Sequence, residues 1–208
     1  MNDELYRGIT DFAHTTPDWV HTLAEYGTDA GVTVLCLLLV VAWWRARRGD
    51  ARSMALTLLS GVATVAAYLV SELTKVLVEE ERPCRAVPDA QPPLVPCPEV
   101  GDWSFPSNHS TVAAAAAVGL ALAWRATTAL VLPLAVLMAF SRVFVGVHYP
   151  LDVTAGLALG TVATLLACAL GARPGTLLVT RLRQGPLAPL LTTARPDRTP
   201  VETPPSRR

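Results

Sequence analysis

Five long apolar runs leave this chain few ways to fold. They cover roughly residues 28–44, 53–78, 108–124, 127–145 and 152–171. Stretches such as Val32 to Trp44 and Thr111 to Trp124 hold almost no polar side chain. A helix built from them has no face to offer water, so a soluble bundle is disfavoured. A bilayer-spanning helix needs about 20 mostly apolar residues, and these runs approach or exceed that length. Composition agrees: 51% of the 208 residues are hydrophobic and 16% charged, with a mean hydropathy of +0.39. A soluble domain carries about 25% charged residues. The predicted fold class is therefore all-α, an integral membrane bundle of about five transmembrane helices preceded by an interfacial amphipathic segment. A net charge of zero leaves no electrostatic footprint for nucleic acid. The partner such a chain implies is the bilayer itself.

Arginine placement orients the bundle. The loop between the first two runs holds Arg45, Arg47, Arg48 and Arg52; Arg125 follows the third run; Arg173, Arg181 and Arg183 follow the fifth. With alternating helices all three groups share one side, which the positive-inside rule makes cytoplasmic. The N-terminus then starts outside. Residues 1–27 read as an outer amphipathic segment, a helix or helix pair broken near Pro17, with no basic start or small-residue cleavage site. Residues 28–172 form the membrane domain, with an outer loop at 79–106. Residues 173–208 form a cytoplasmic, basic, proline-rich tail: 174–190 reads as interfacial or loosely ordered and 191–208 as disordered.

Helix parity then places the polar residues. Lys75, the chain's one lysine, falls at the outer end of the second span, and Arg82 follows in the outer loop. The third span begins outside at Ser107-Asn108-His109. The fourth ends outside near Ser141-Arg142, His148 lies in the link, and Asp152 opens the fifth. All converge on one face, and ionisable groups at membrane depth are functional candidates by default. Cys84 and Cys97 bracket a proline-rich part of the outer loop. A disulfide is permitted on that side and would stabilise the loop by about 3 kcal/mol, although two free thiols fit the sequence as well. Cys36 and Cys168 read as packing residues, and no cysteine–histidine spacing suits zinc.

This inventory suits a phosphate group. His148 and Asp152 are four apart, so a carboxylate can fix one imidazole nitrogen and free the other to attack. His109 is placed to donate a proton. Ser107, Asn108 and His109 follow Pro106 at a helix start, where free N–H groups favour an anion. Lys75, Arg82 and Arg142 would neutralise phosphoryl oxygens.

The pattern Lys75-x6-Arg82-Pro83, Pro106-Ser107-Asn108-His109 and Ser141-Arg142-x5-His148-x3-Asp152 resembles the three-part signature of the type 2 phosphatidate phosphatase family. That family also includes vanadium haloperoxidases and bacterial undecaprenyl-pyrophosphate phosphatases. The motifs span 75–152, and the five-span layout extends the likeness to about 28–171. The resemblance implies that His148 attacks phosphorus, Asp152 orients it, and His109 protonates the leaving oxygen and then activates water. Lys75, Arg82, Ser107, Asn108 and Arg142 would hold the phosphate. It also implies catalysis with no cofactor and no metal, and Asp152 is the one carboxylate in the motifs. Asn108 departs from the family's usual glycine. Asparagine tolerates positive φ, and here it would add an amide near the phosphate.

The expected activity is hydrolysis of a lipid phosphate, foremost a polyprenyl pyrophosphate, at the outer leaflet of the plasma membrane. Phosphatidate, diacylglycerol pyrophosphate and phosphatidylglycerol phosphate are the alternative substrates. A multi-pass binder or transporter of anionic lipids would need broken or charged helices at mid-membrane, and only Pro133 interrupts a span there. A vanadate-dependent peroxidase shares the motifs, but such enzymes are soluble.

Overall fold

A computed structural model of the chain describes residues 2–193. Its helices run α1 Asn2–His14, α2 Asp18–Ala46, α3 Ala51–Val78, α4 Pro83–Ala86, α5 Asn108–Ala123, α6 Thr128–Phe144, α7 Pro150–Leu182 and α8 Ala188–Leu191. A 3-10 turn at Arg125–Thr127 precedes α6. Among the described residues there is no strand. α2, α3, α6 and α7 are long and apolar enough to cross a membrane, and α5 is an apolar helix of 16 residues.

Local chemistry sets the ends. Asp50 caps α3 by accepting a hydrogen bond from the Ser53 amide at 2.7 Å. Glu79 ends α3 in the left-handed region, φ 51°. Pro150 occupies the first turn of α7, where its missing N–H costs nothing, and the Asp152 carboxylate accepts from the Tyr149 amide at 2.8 Å.

The packing inverts that of a soluble protein. Small residues are inside: Ala113 through Ala117, Gly119, Gly156 and Gly160. Large ones face outward, among them Leu69, Leu73, Leu77, Leu166 and Leu170. Between membrane helices the surrounding lipid is as apolar as leucine, so close backbone approach, not hydrophobic burial, holds the bundle together. α5 is the central helix, enclosed by α2, α3, α6 and α7. A Cβ on Gly160 would lie 2.2 Å from the Thr111 carbonyl oxygen, and one on Gly156 2.5 Å from that of Ser107. Only glycine lets α7 lie this close to the start of α5. The Ser107 amide also donates to the Asp152 carbonyl at 3.1 Å, joining the two motif-bearing helix starts.

Two boundaries differ from the sequence-based expectation. Residues 18–27 are the first turns of α2, which runs unbroken from Asp18 after the break at Pro17. Only α1 lies apart, across the α6–α7 link, with Tyr6 donating from its hydroxyl to the Gly146 carbonyl at 2.9 Å. At the other end α7 does not stop near 171 but passes through Pro174 to Leu182. Val179 packs with Met54, Ala55 and Leu191, and Arg183 donates to the carbonyls of Ala46 and Asp50. Tertiary packing outweighs the one hydrogen bond that proline removes. The expected disorder at 191–208 lies largely outside the described residues; Leu191 itself ends α8.

The arginine-rich loops gather at one end of the bundle. Arg45 stacks over Trp124 with 5.2 Å to the ring centroid, and Arg47 over Trp44 with 4.5 Å. The motif residues gather at the other end.

Candidate active site

His148 lies in the short α6–α7 link, 2% exposed. Its Nδ1 is 3.3 Å from Asp152 Oδ2, and its Nε2 is 3.2 Å from Arg82 Nη1. A guanidinium only donates, so Nε2 must accept and keep its lone pair towards Arg82. The proton then belongs on Nδ1, facing the carboxylate. Burial pushes the imidazole down to about 4, with the Arg82 charge adding to it, against the opposing hydrogen bond from Asp152. His148 is therefore neutral at pH 7, with Nε2 unprotonated.

Asp152 is fully buried. Its Oδ2 receives the Tyr149 amide, His148 Nδ1 and the Ser104 hydroxyl, while Oδ1 has no partner. Ser104 Oγ also stands 3.3 Å from His148 Nδ1. This serine of the 79–106 loop touches both members of the pair.

Arg82 binds three ways. Nη1 also donates to the Val147 carbonyl at 3.0 Å, Nε to the Asp102 carbonyl at 2.7 Å, and Nη2 to the Asp102 carboxylate at 2.9 Å. Lys75 Nζ reaches the same Asp102 oxygen at 3.2 Å. Burial raises the Asp102 carboxyl, but hydrogen bonding and charge from Arg82, with Lys75 behind, outweigh it and hold the group below the usual range. Arg142 stands close enough to feel the charges of Arg82, Asp102 and Asp29, and its Nε is buried without a partner.

Ser107 caps α5 and is fully buried. His109 Nε2 meets Asp29 Oδ1 at 3.0 Å, and its side chain is 32% exposed. Asn108 departs from expectation. It is the first residue of α5 and does not adopt a positive φ. Its side-chain amide is engaged by α3: Nδ2 donates to Glu72, and Oδ1 accepts from Ser71 Oγ at 2.6 Å. Asn108 thus fastens the start of α5 to α3. Cys84 and Cys97 are joined by a disulfide.

The structure brings Lys75, Arg82, Ser107, His109, Arg142, His148 and Asp152 to one end of the bundle. It also brings Asp29, Glu72, Asp102 and Ser104, so this end is not as poor in acids as the motifs alone imply. Asp29 was detectable, because helix parity puts it at the outer end of the first span just as it puts Lys75 at that of the second. Asp102 and Ser104 stand within four residues of Pro106, but their spacing carried no signal of its own.

Residues 54–174 match the family model described as the PAP2 superfamily. The chain belongs to the PAP2 superfamily. It is 32% identical over 149 residues to the undecaprenyl-diphosphatase of Sulfolobus acidocaldarius, covering 70% of this chain and 66% of that one. It is 27% identical over 166 residues to the undecaprenyl-diphosphatase BcrC of Bacillus subtilis, covering 80% of this chain and 82% of that one. In fold it resembles the crystal structure of a transmembrane PAP2-type phosphatidylglycerolphosphate phosphatase from Bacillus subtilis, with a TM-score of 0.61 at 24% identity, covering 80% of this chain and 84% of that one. This PAP2 protein is a multi-pass membrane lipid phosphatase.

An apolar groove of about 310 Å³ runs between α2 and α6, lined by Leu23, Leu134, Leu137 and Phe140. Thr28 and Ser141 also line it, and their hydroxyls meet there. Asp29 and Arg142 are their chain neighbours.

Proposed function

We propose that this PAP2 phosphatase hydrolyses a polyprenyl pyrophosphate at the outer leaflet of the plasma membrane through a phosphohistidine. The observation that carries the mechanism is the placement of His148 between Asp152 and Arg82, which favours the tautomer with Nδ1–H towards the carboxylate and the Nε2 lone pair towards the guanidinium. Nε2 attacks phosphorus, the bond to the lipid-side oxygen breaks, and His109 gives that oxygen its proton. His109 then takes a proton from water, whose oxygen attacks the phosphohistidine and releases orthophosphate. Phosphoryl transfer of this kind depends on positioning and charge stabilisation. Lys75, Arg82 and Arg142 supply the charge, and the α5 N-terminus behind Ser107 adds oriented amides.

The two relatives named as undecaprenyl-diphosphatases support the polyprenyl class. The groove between α2 and α6 supports a lipid whose apolar end stays in the bilayer while its head group reaches His109. Gathering of the arginines at the opposite end supports the outward orientation.

Three measurements test this reading. Brief mixing with polyprenyl pyrophosphate labelled in the terminal phosphate should leave acid-labile label on His148, and its absence from a turning-over enzyme overturns the covalent route. A cysteine placed at Pro92 should react with an impermeant thiol reagent in intact cells while one at Gly49 should not; the reverse pattern puts the site in the cytoplasm. Hydrolysis should continue in excess EDTA, and restoration by magnesium alone would overturn the metal-independent reading.

A further inference from the structure

The cation pair read as the phosphate cradle already holds an anion. Lys75 Nζ and Arg82 Nη2 converge on a single oxygen, Asp102 Oδ1, at 3.2 and 2.9 Å. Two cations on one oxygen is the arrangement a phosphoryl oxygen would receive. We propose that the Asp102 carboxylate is the resting occupant of the cradle. It keeps Lys75 and Arg82 together while the site is empty, yields to the phosphoryl group of an incoming substrate, and returns after turnover to expel orthophosphate. The inference deepens the proposed function, because it takes Lys75 and Arg82 as the phosphate-binding pair.

The local geometry allows the exchange without moving the backbone. The Asp102 carbonyl accepts from Arg82 Nε at 2.7 Å, and the Asp102 amide donates to the Glu99 carbonyl at 3.1 Å. Two residues on, the Ser104 amide donates to the Glu80 carbonyl at 2.8 Å. The main chain is thus pinned on both sides while the side chain is 49% exposed. Rotation about the Cα–Cβ bond carries the carboxylate from the cations into solvent, which rehydrates it. Asp152 could not do this, because it is fully buried and bonded on Oδ2. Asp29 does not compete for the pair, since its carboxylate is engaged by His109.

The sign of one effect separates this role from that of an ordinary structural ion pair. A structural Asp102 organises the cradle, so losing its charge weakens phosphate binding. A resting occupant competes with phosphate, so losing its charge tightens binding.

The test uses the full-length protein in detergent, with orthophosphate as the probe. Asp102→Asn keeps the shape and an acceptor oxygen but removes the charge. Its Kd for orthophosphate, read by isothermal titration, should fall about tenfold, with stronger product inhibition to match, as expected when a like charge leaves an anion site. Asp102→Glu, which keeps the charge, should stay near the unsubstituted protein. A folded Asn variant that binds orthophosphate equally or more weakly overturns the proposal. A readout in the unsubstituted protein covers the case in which that variant does not fold. Saturating orthophosphate should make Asp102 react several-fold faster with a water-soluble carbodiimide, because the carboxylate is released to solvent; unchanged or slowed modification overturns the proposal. Titration needs no turnover, so these arms report on Asp102 even if the phosphohistidine route fails. Conversely, turnover that depends on His148 with unaltered phosphate binding in the Asn variant refutes only the Asp102 role.

Discussion

His148 and His109 stand at the same end of one bundle but in different surroundings. His148 is 2% exposed and contacts Asp152, Ser104 and Arg82. His109 has a side chain 32% exposed and meets Asp29, whose carboxylate is largely open to solvent. The difference suits the role proposed for each. A nucleophile gains from one fixed tautomer and from being kept neutral, and burial beside a buried carboxylate supplies both. A group that protonates a departing lipid oxygen and then handles water must stay reachable. The enclosed side comes from the 79–106 loop, through Arg82 and Ser104, and from the α6–α7 link that carries His148.

The largest expected effect breaks the comparison at its closed side. His148→Ala should lower turnover by on the order of 10⁴-fold, since no other group at the site can take the phosphoryl group. A folded variant that keeps more than a few per cent of activity contradicts the assignment. His109→Ala should cost about 10²–10³-fold and should differ in kind, because general acid–base help is lost while the nucleophile remains. With a substrate whose leaving group needs no proton, the His109 variant should accumulate labelled phosphohistidine, and absence of that burst would separate His109 from the second step.

A smaller effect sharpens the contrast within the closed side. Ser104→Ala should lower kcat about tenfold with KM little changed, because Ser104 positions Asp152 and His148 without reaching the substrate. Ser104→Thr should recover part of the loss. A rise in KM alone would place Ser104 in binding instead.

The smallest effect concerns pH. The ordinary histidine value is 6.5, and in the fold His148 is pushed down to about 4. The unfolded chain therefore binds the extra proton between these values, and the folded one does not. The stability contributed by neutral His148 is fully present above pH 6.5 and is lost progressively as pH falls towards 4. Over the same window, with the substrate whose leaving group needs no proton, the burst of phosphohistidine formation should stay nearly constant from pH 7 to 5 and decline towards 4. A limb centred near 6.5 in that step would mean that His148 is not held neutral by burial.

Much of this could be read before the fold was known. The apolar runs predict the bundle, and parity alone sends Lys75, Arg82, Ser107, His109, Arg142, His148 and Asp152 to one end, where the structure has them. Helix limits were harder to read. Polar residues 18–27 join α2 because the backbone of a helix that has begun at Asp18 propagates at little cost. Pro174 fails to stop α7 because Val179 and Arg183 find partners below it.

By itself the sequence determined the membrane class, the family and the motif residues, because span length and motif spacing are one-dimensional properties. Only the tertiary structure decided that Asn108 ties α5 to α3, that Ser104 joins the His148–Asp152 pair, and that Asp102 takes the two cations. Each of these depends on loop residues 79–106 folding back on helices far along the chain. Which oxygen meets which nitrogen there is set by loop closure and by the close approach at Gly156 and Gly160, and neither leaves a periodic trace in the sequence.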